Sequence, residues 1–257
     1  MLRIGASQLN AFEQASRRRF EDEMVAHSKD FSPRLCEVLG DEQLRIALRS
    51  AMQRAQGYGF TWRGPVRLYI ELMFLYGSGL DTDPQYPSLG ELLREPGDQM
   101  ERAQRLHEAA LYYLDKVCGP DNANVRRALA SLRAFAERPI AFPKGFGRSM
   151  LDHMVGIFPQ KAAYVGEGGL RALIEEGVNQ ARRHRFTTER QAALLVTLMF
   201  AFGHSCTRDA LYPWIERTLM DDRISEPRIR AERLERKSVT WLEHVLARKP
   251  PEDGRER

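Results

Sequence analysis

Of its 257 residues the chain spends only three on cysteine, three on tryptophan and six on lysine. Cys36, Cys118 and Cys206 are odd in number, far apart and in no CxxC pair, which excludes a disulfide framework or a zinc ribbon. They are expected to be reduced core residues of a cytoplasmic protein. No apolar run approaches the roughly 20 residues that a bilayer span needs. The opening MLRIGASQLNAFEQ has neither an apolar h-region nor a cleavage site, so no secretory signal is expected. The lysine shortage also qualifies the charge. The 39 basic residues are mostly arginine and are interspersed with 35 acids, leaving a net +4. That is an arginine-biased composition more than a nucleic-acid footprint, and neither nucleic acid nor membrane is expected as a partner.

Signatures of chemistry are missing too. No P-loop, GxGxxG or G-x-S-x-G occurs, and histidines 27, 107, 153, 184, 204 and 244 show no HExxH or H-x3-H spacing. Asp81-Thr82-Asp83 invites a calcium reading. However, it lacks the glycine of a calcium loop, Pro84 stiffens it, and Asp81 becomes Thr207 in a second copy described below. Glu21, Asp22 and Glu23 face solvent by pattern, opposite Arg17–Arg19, as i,i+4 partners. No cofactor is called for, and the expectation is a protein that is not an enzyme.

What is present is a repeat. FTWRGPVRLYIELMFLYG at Phe60–Gly77 returns as FTTERQAALLVTLMFAFG at Phe186–Gly203, 126 positions on. The offset holds without a gap from Phe20 to Leu93, where 19 of 74 positions are identical, among them His27/His153, Pro33/Pro159, Gly40/Gly166, Asp83/Asp209 and Tyr86/Tyr212. After a two-residue insertion RAQRLHEAALYYLDKV resumes as RAERLERKSVTWLEHV. Each copy's core stretch is apolar on nearly all sides over about a dozen residues, which marks a core helix. Thr61 and Thr187 stand at the expected N-caps. Thr188 and Gln191 have capping-box spacing. Gly77 and Gly203 close the two helices where a left-handed residue is wanted.

Periodicity predicts helices over about 7–28, 41–56, 98–118, 122–137 and 226–248, and another from near 168. Ser7 is the expected cap of the first, and Leu9, Phe12, Phe20, Met24 and Val25 its apolar stripe. Short helices are expected after the two Tyr-Pro pairs. Pro139 and Pro143 bound a linker. No strand pattern is found. The expected architecture is all-α, two tandem, internally duplicated helical bundles joined by a linker helix. Its divisions are 1–119, 120–143 and 144–249, with a disordered tail at 250–257.

The copies also differ. Arg67 and Glu71 form an i,i+4 pair where the second copy has Ala193 and Thr197, so one polar stripe was lost or gained. Gly57-Tyr58-Gly59 faces Arg183-His184-Arg185, and Ser88 faces Trp214. Trp and Arg are frequent interface anchors. Arg182, Arg183, Arg185, Trp214, Arg67 and Glu71 are therefore the candidate partner-binding residues, against the plainer reading of one buried tryptophan among solvated cations. No metal site is assigned. His27 and His153, at equivalent positions, are the only candidates, and structural histidines are the commoner outcome.

Two strings carry a resemblance. YGFTWRGPVRLYIELMFLYGSGLDTDPQYP and the opening LRI…QLNAFEQASRRRFEDEMVAH resemble a family of uncharacterised helical proteins of bacterial type VI secretion gene clusters. The shared core is YG-(F/I)-T…LMF followed by D-T-D-P, over about the first 95 residues. The second copy departs from it at Thr207-Arg208-Asp209-Ala210. The family's genes lie near effector and tip genes, so the resemblance implies an accessory role and brings no catalytic residues. The expectation is an adaptor or chaperone for a secreted effector or tip protein. An immunity protein against a toxin acting in the cytosol is the first alternative, and a helical metal-dependent enzyme using His27 and His153 the second.

Overall fold

The computed structural model describes residues 5–136 and 141–247. The expected tail, Pro139 and the side chains of Ser7, Leu9 and Phe135 lie outside the described residues. The protein is all-α, with no strand among the described residues. In chain order the helices are α1 (Ala6–Phe31), α2 (Pro33–Leu39), α3 (Asp41–Gly57), α4 (Arg63–Tyr76), α5 (Pro87–Arg94) and α6 (Gln99–Tyr113). A wider π-turn over Leu114–Cys118 prolongs α6. Then follow α7 (Ala123–Ala136), α8 (Phe146–Ile157), α9 (Pro159–Arg183), α10 (Glu189–Phe202), α11 (Pro213–Leu219) and α12 (Pro227–Leu246).

Helix α9 is broken at Gly166, whose φ of 75° and ψ of 163° repeat those of Gly40 (77°, 159°) between α2 and α3. That backbone region is open to glycine almost alone. Ser32 and Phe158, each ahead of a proline and kept out of the helical region by it, match at φ −138° and −141° with ψ 66° and 77°. Tyr86 and Tyr212 match as well, at φ −138° and −128° with ψ 54° in both. Local conformation thus recurs at these positions 126 apart, beside proline and at glycine.

Helices α4 and α10 lie at the middle of the core, with Ile70, Leu72, Leu195, Val196 and Met199 fully buried. Buried residues of both halves form one continuous cluster. The three cysteines are buried and free.

Several local expectations are corrected. Helices α4 and α10 start one residue later than expected, with Trp62 and Thr188 as N-caps in place of Thr61 and Thr187, and α1 starts earlier, with Gly5 as N-cap in place of Ser7. The capping box of Thr188 and Gln191 is formed. Gly77 and Gly203 do have positive φ (93° and 95°), but their ψ near 155° is extended where a left-handed cap would be near 45°. Among the described side chains of the expected α1 stripe, the packed ones begin at Phe20. Phe12 is 67% exposed, as are its neighbours, residues 11–19 being exposed throughout. Glu21 is not solvent-facing but 9% exposed, bridged by Arg45 (3.1 Å) and Arg49 (2.9 Å) of α3, which hold its carboxyl below the usual range.

Candidate functional site

The two halves meet where the loops after α4 and α10 cross. A Cβ on Gly77 would come 2.6 Å from the Phe202 carbonyl oxygen, and one on Gly203 would come 2.6 Å from that of Tyr76. Only glycine permits that approach of two backbones. Beside the crossing, Asp83 accepts from the His204 amide (2.8 Å), and Asp209 accepts from the Ser78 amide (2.8 Å). Each aspartate also caps its own turn through Gln85 N (2.9 Å) or Leu211 N (2.8 Å). Because 78 and 204 are equivalent positions, the exchange is reciprocal, as across a local twofold. Burial raises the Asp209 carboxyl, opposed by these bonds. The neighbouring Asp81 is 6% exposed and held by Arg54 and Tyr58. The D-T-D-P loop is thereby occupied with locking the fold together.

Flanking the crossing are two equivalent clefts between the halves, and they differ. On one side Gly169 packs so tightly that a Cβ would meet the Pro84 carbonyl oxygen at 3.1 Å. Tyr164 there packs on Tyr113 (centroids 5.1 Å) and Tyr112 (6.1 Å). On the other side Gln43 replaces the glycine, and its amide spans to the Ala210 carbonyl at 3.1 Å. Val38 stands where the first cleft has Tyr164, and Thr240 where it has Tyr112. These smaller residues leave a groove of about 930 Å³. Its floor is Trp214 and Trp241, stacked at 6.3 Å and 30°. Trp214 is partly buried, and its indole N–H has no protein partner. Ile46 on the opposite wall is 46% exposed. Glu37, Asp41 and Glu42 line the α2–α3 side, while Arg217, Lys237 and His244 line the α11–α12 side. The groove therefore presents an aromatic floor between an acidic and a basic wall.

The remaining sequence candidates lie apart from it. Arg182 and Arg183 are exposed in the last turn of α9 and Arg185 just beyond it, with Arg182 on Asn179 (3.3 Å) and Arg183 on Glu176 (3.6 Å). They precede α10, whereas Trp214 follows it, and a 14-residue helix spans roughly 20 Å. Arginine cluster and tryptophan thus do not form one patch. Arg67 and Glu71 are paired at 3.0 Å on α4, while the equivalent Ala193 and Thr197 are buried at 0% and 6%. That face is accordingly open in one half and covered in the other.

Each histidine bonds to the same position of its own central helix. His27 Nε2 meets Glu71 Oε1 at 2.7 Å, and His153 Nε2 meets Thr197 Oγ1 at 3.1 Å. Burial pushes the His153 imidazole down to about 4, so it is neutral at ordinary pH. Among the described residues no three His, Cys, Asp or Glu side chains come together as metal ligands would.

Sequence reasoning missed Lys161, which stands where the first half has Leu35. It is 4% exposed, lies over the Tyr86 and Phe200 rings, and donates to the Phe200 carbonyl at the end of α10. Burial lowers its ammonium to about 8. A cation at a helix C-terminus is favourable, which offsets part of that cost. The signal was available as a lysine in an otherwise apolar repeat position. No known protein family, curated protein or solved structure matches the chain. No helix among the described residues is long and apolar enough to cross a membrane.

Proposed function

We propose that the chain is a duplicated pair of helical bundles, 1–119 and 144–249 with 120–143 between them, acting as a non-enzymatic protein-binding accessory factor. The matched turns and the reciprocal Asp83/Asp209 bonds support the duplication. The observation that carries the binding role is the groove over Trp214. A half-buried tryptophan lining a groove of this size, flanked by exposed aliphatic side chains, is the composition of an interface hot spot. Its walls suit a partner segment with an apolar anchor flanked by charges of both signs, since such charges steer and orient encounter. The sequence resemblance makes that partner a type VI effector or tip protein, with this chain as its adaptor or chaperone.

The test is capture of the partner from the native host, followed by calorimetry of the purified pair. Trp214→Ala is expected to weaken binding at least tenfold, with Arg182→Ala/Arg183→Ala nearly unchanged. Equal affinity of wild type and Trp214→Ala would remove the groove from the account. The immunity alternative is separated by growth. A host expressing the captured protein without its signal for export dies unless an immunity protein is present, whereas an adaptor's absence stops secretion without killing the cell.

A further inference from the structure

On the opposite flank of α12, and sharing no residue with the groove, a second cavity of about 400 Å³ lies between α7, α8, α10 and α12. We infer that it is a binding site for a small, uncharged, largely apolar molecule carrying one hydrogen-bond acceptor. Its volume lies in the range of small-molecule sites, which are mostly apolar with a few placed polar groups. Leu132, Leu194, Leu198 and Leu242 supply the apolar walls.

The placed donor is Gln191. This side chain is 8% exposed and lines the cavity. Its Oε1 is committed to the amides of Thr187 (2.9 Å) and Thr188 (3.1 Å), which fixes the orientation of the carboxamide. The Nε2 N–H groups are left without a protein acceptor. They reach the cavity's solvent, so an acceptor brought by a ligand can take the place of water on this held donor. Thr197, already bonded to His153, adds a second polar point on the wall.

Charge balance argues for a neutral occupant. The lining cations are matched one for one by lining acids, Arg190 with Glu235 (2.9 Å) and Arg228 with Glu232 (2.6 Å). An ionic ligand would have to break one of these pairs. The equivalent face of the first half lacks this donor, because Gln191 is replaced by Pro65, Thr197 by Glu71 and Ala193 by Arg67. There the charged Arg67–Glu71 pair occupies the helix face.

The probe is prodan, an uncharged naphthalene with a ketone acceptor, titrated by fluorescence into the full chain. Saturable one-to-one binding with blue-shifted emission is expected. Ala231→Phe, which fills the cavity, is expected to abolish it. Gln191→Glu keeps the capping acceptor but removes the donor and adds charge, and is expected to weaken binding at least tenfold. Trp214→Ala is expected to leave binding unchanged, since the groove is separate. Absence of saturable binding to the wild type would overturn the inference. So would undiminished binding by Gln191→Glu at wild-type melting temperature, a control that holds even if Ala231→Phe fails to fold. Loss of the signal in Trp214→Ala would likewise overturn it, by placing the probe in the groove.

Discussion

At the start of α4 the amides of Thr61 and Trp62 are taken by Gln99 of α6, at 2.8 and 3.1 Å. At the start of α10 the equivalent amides of Thr187 and Thr188 are taken by Gln191 of the same helix, at 2.9 and 3.1 Å. The orphan donors of a helix N-terminus must be satisfied in both places. Pro65 removes the local glutamine from the first half, and a neighbouring helix supplies one instead. The same pattern runs through the molecule. Both halves contribute a glycine to the backbone crossing, while the side chains around it differ, with a closed tyrosine cleft on one side and an open tryptophan groove on the other. What the fold requires is equal in the two halves, and what a partner would touch is not.

The glycines of the crossing offer the hardest test of that equality. Gly77→Ala and Gly203→Ala each combine a disallowed φ with a backbone clash, and should each cost roughly 3 kcal/mol or more. Gly40→Ala, with a similar φ but open space around it, should cost about 1–2 kcal/mol. Urea denaturation of the three variants checks this. A mild Gly77→Ala would deny the crossing.

Next come the reciprocal aspartates. Asp83→Ala and Asp209→Ala each strand one buried and one half-buried amide and should destabilise by about 2–4 kcal/mol, to similar extents. A large inequality would break the local twofold.

The two histidines sharpen the contrast between the halves. His153 has its folded pKa near 4 against an ordinary 6.5, so the unfolded chain binds more protons between those values. Stability should therefore fall as pH is lowered from 6.5 to 4, by up to about 3 kcal/mol, and then level off. Melting of His153→Gln should lose that component of the slope. The smallest effect is expected at Arg67. Its i,i+4 pair with Glu71 is half exposed, and Arg67→Ala should cost only about 0.3–0.5 kcal/mol.

How much of this was legible in the sequence follows from the range of each interaction. The core helices, their capping box and the buried cysteines were readable, because apolar runs and cap spacing are local. Glu21 was misread because the arginines that bury it come from α3, more than 20 residues on. The stripe at Phe12 failed because periodicity shows which face is apolar but not whether anything packs against it. Asp83 recurs in the repeat as Asp209, and its bond to the Gln85 amide two residues on is local. Its bond to His204, 121 positions away, needed the fold. The pairing of Ser88 with Trp214 did single out the groove's tryptophan. The groove itself was hidden in the exchange of Val38 for Tyr164 and Gln43 for Gly169, whose meaning depends on a cleft no single segment describes. Arg182, Arg183 and Arg185 were grouped with Trp214 by nearness to α10 in sequence, and the length of that helix separates them.

The most direct measurement is hydrogen–deuterium exchange of the full chain with and without its captured partner. The account predicts new protection at residues 35–46, 211–217 and 237–244, which line the open groove, with 84–91, 109–116 and 164–172 of its closed counterpart unchanged. Protection confined to the counterpart, or to 182–185, would contradict it.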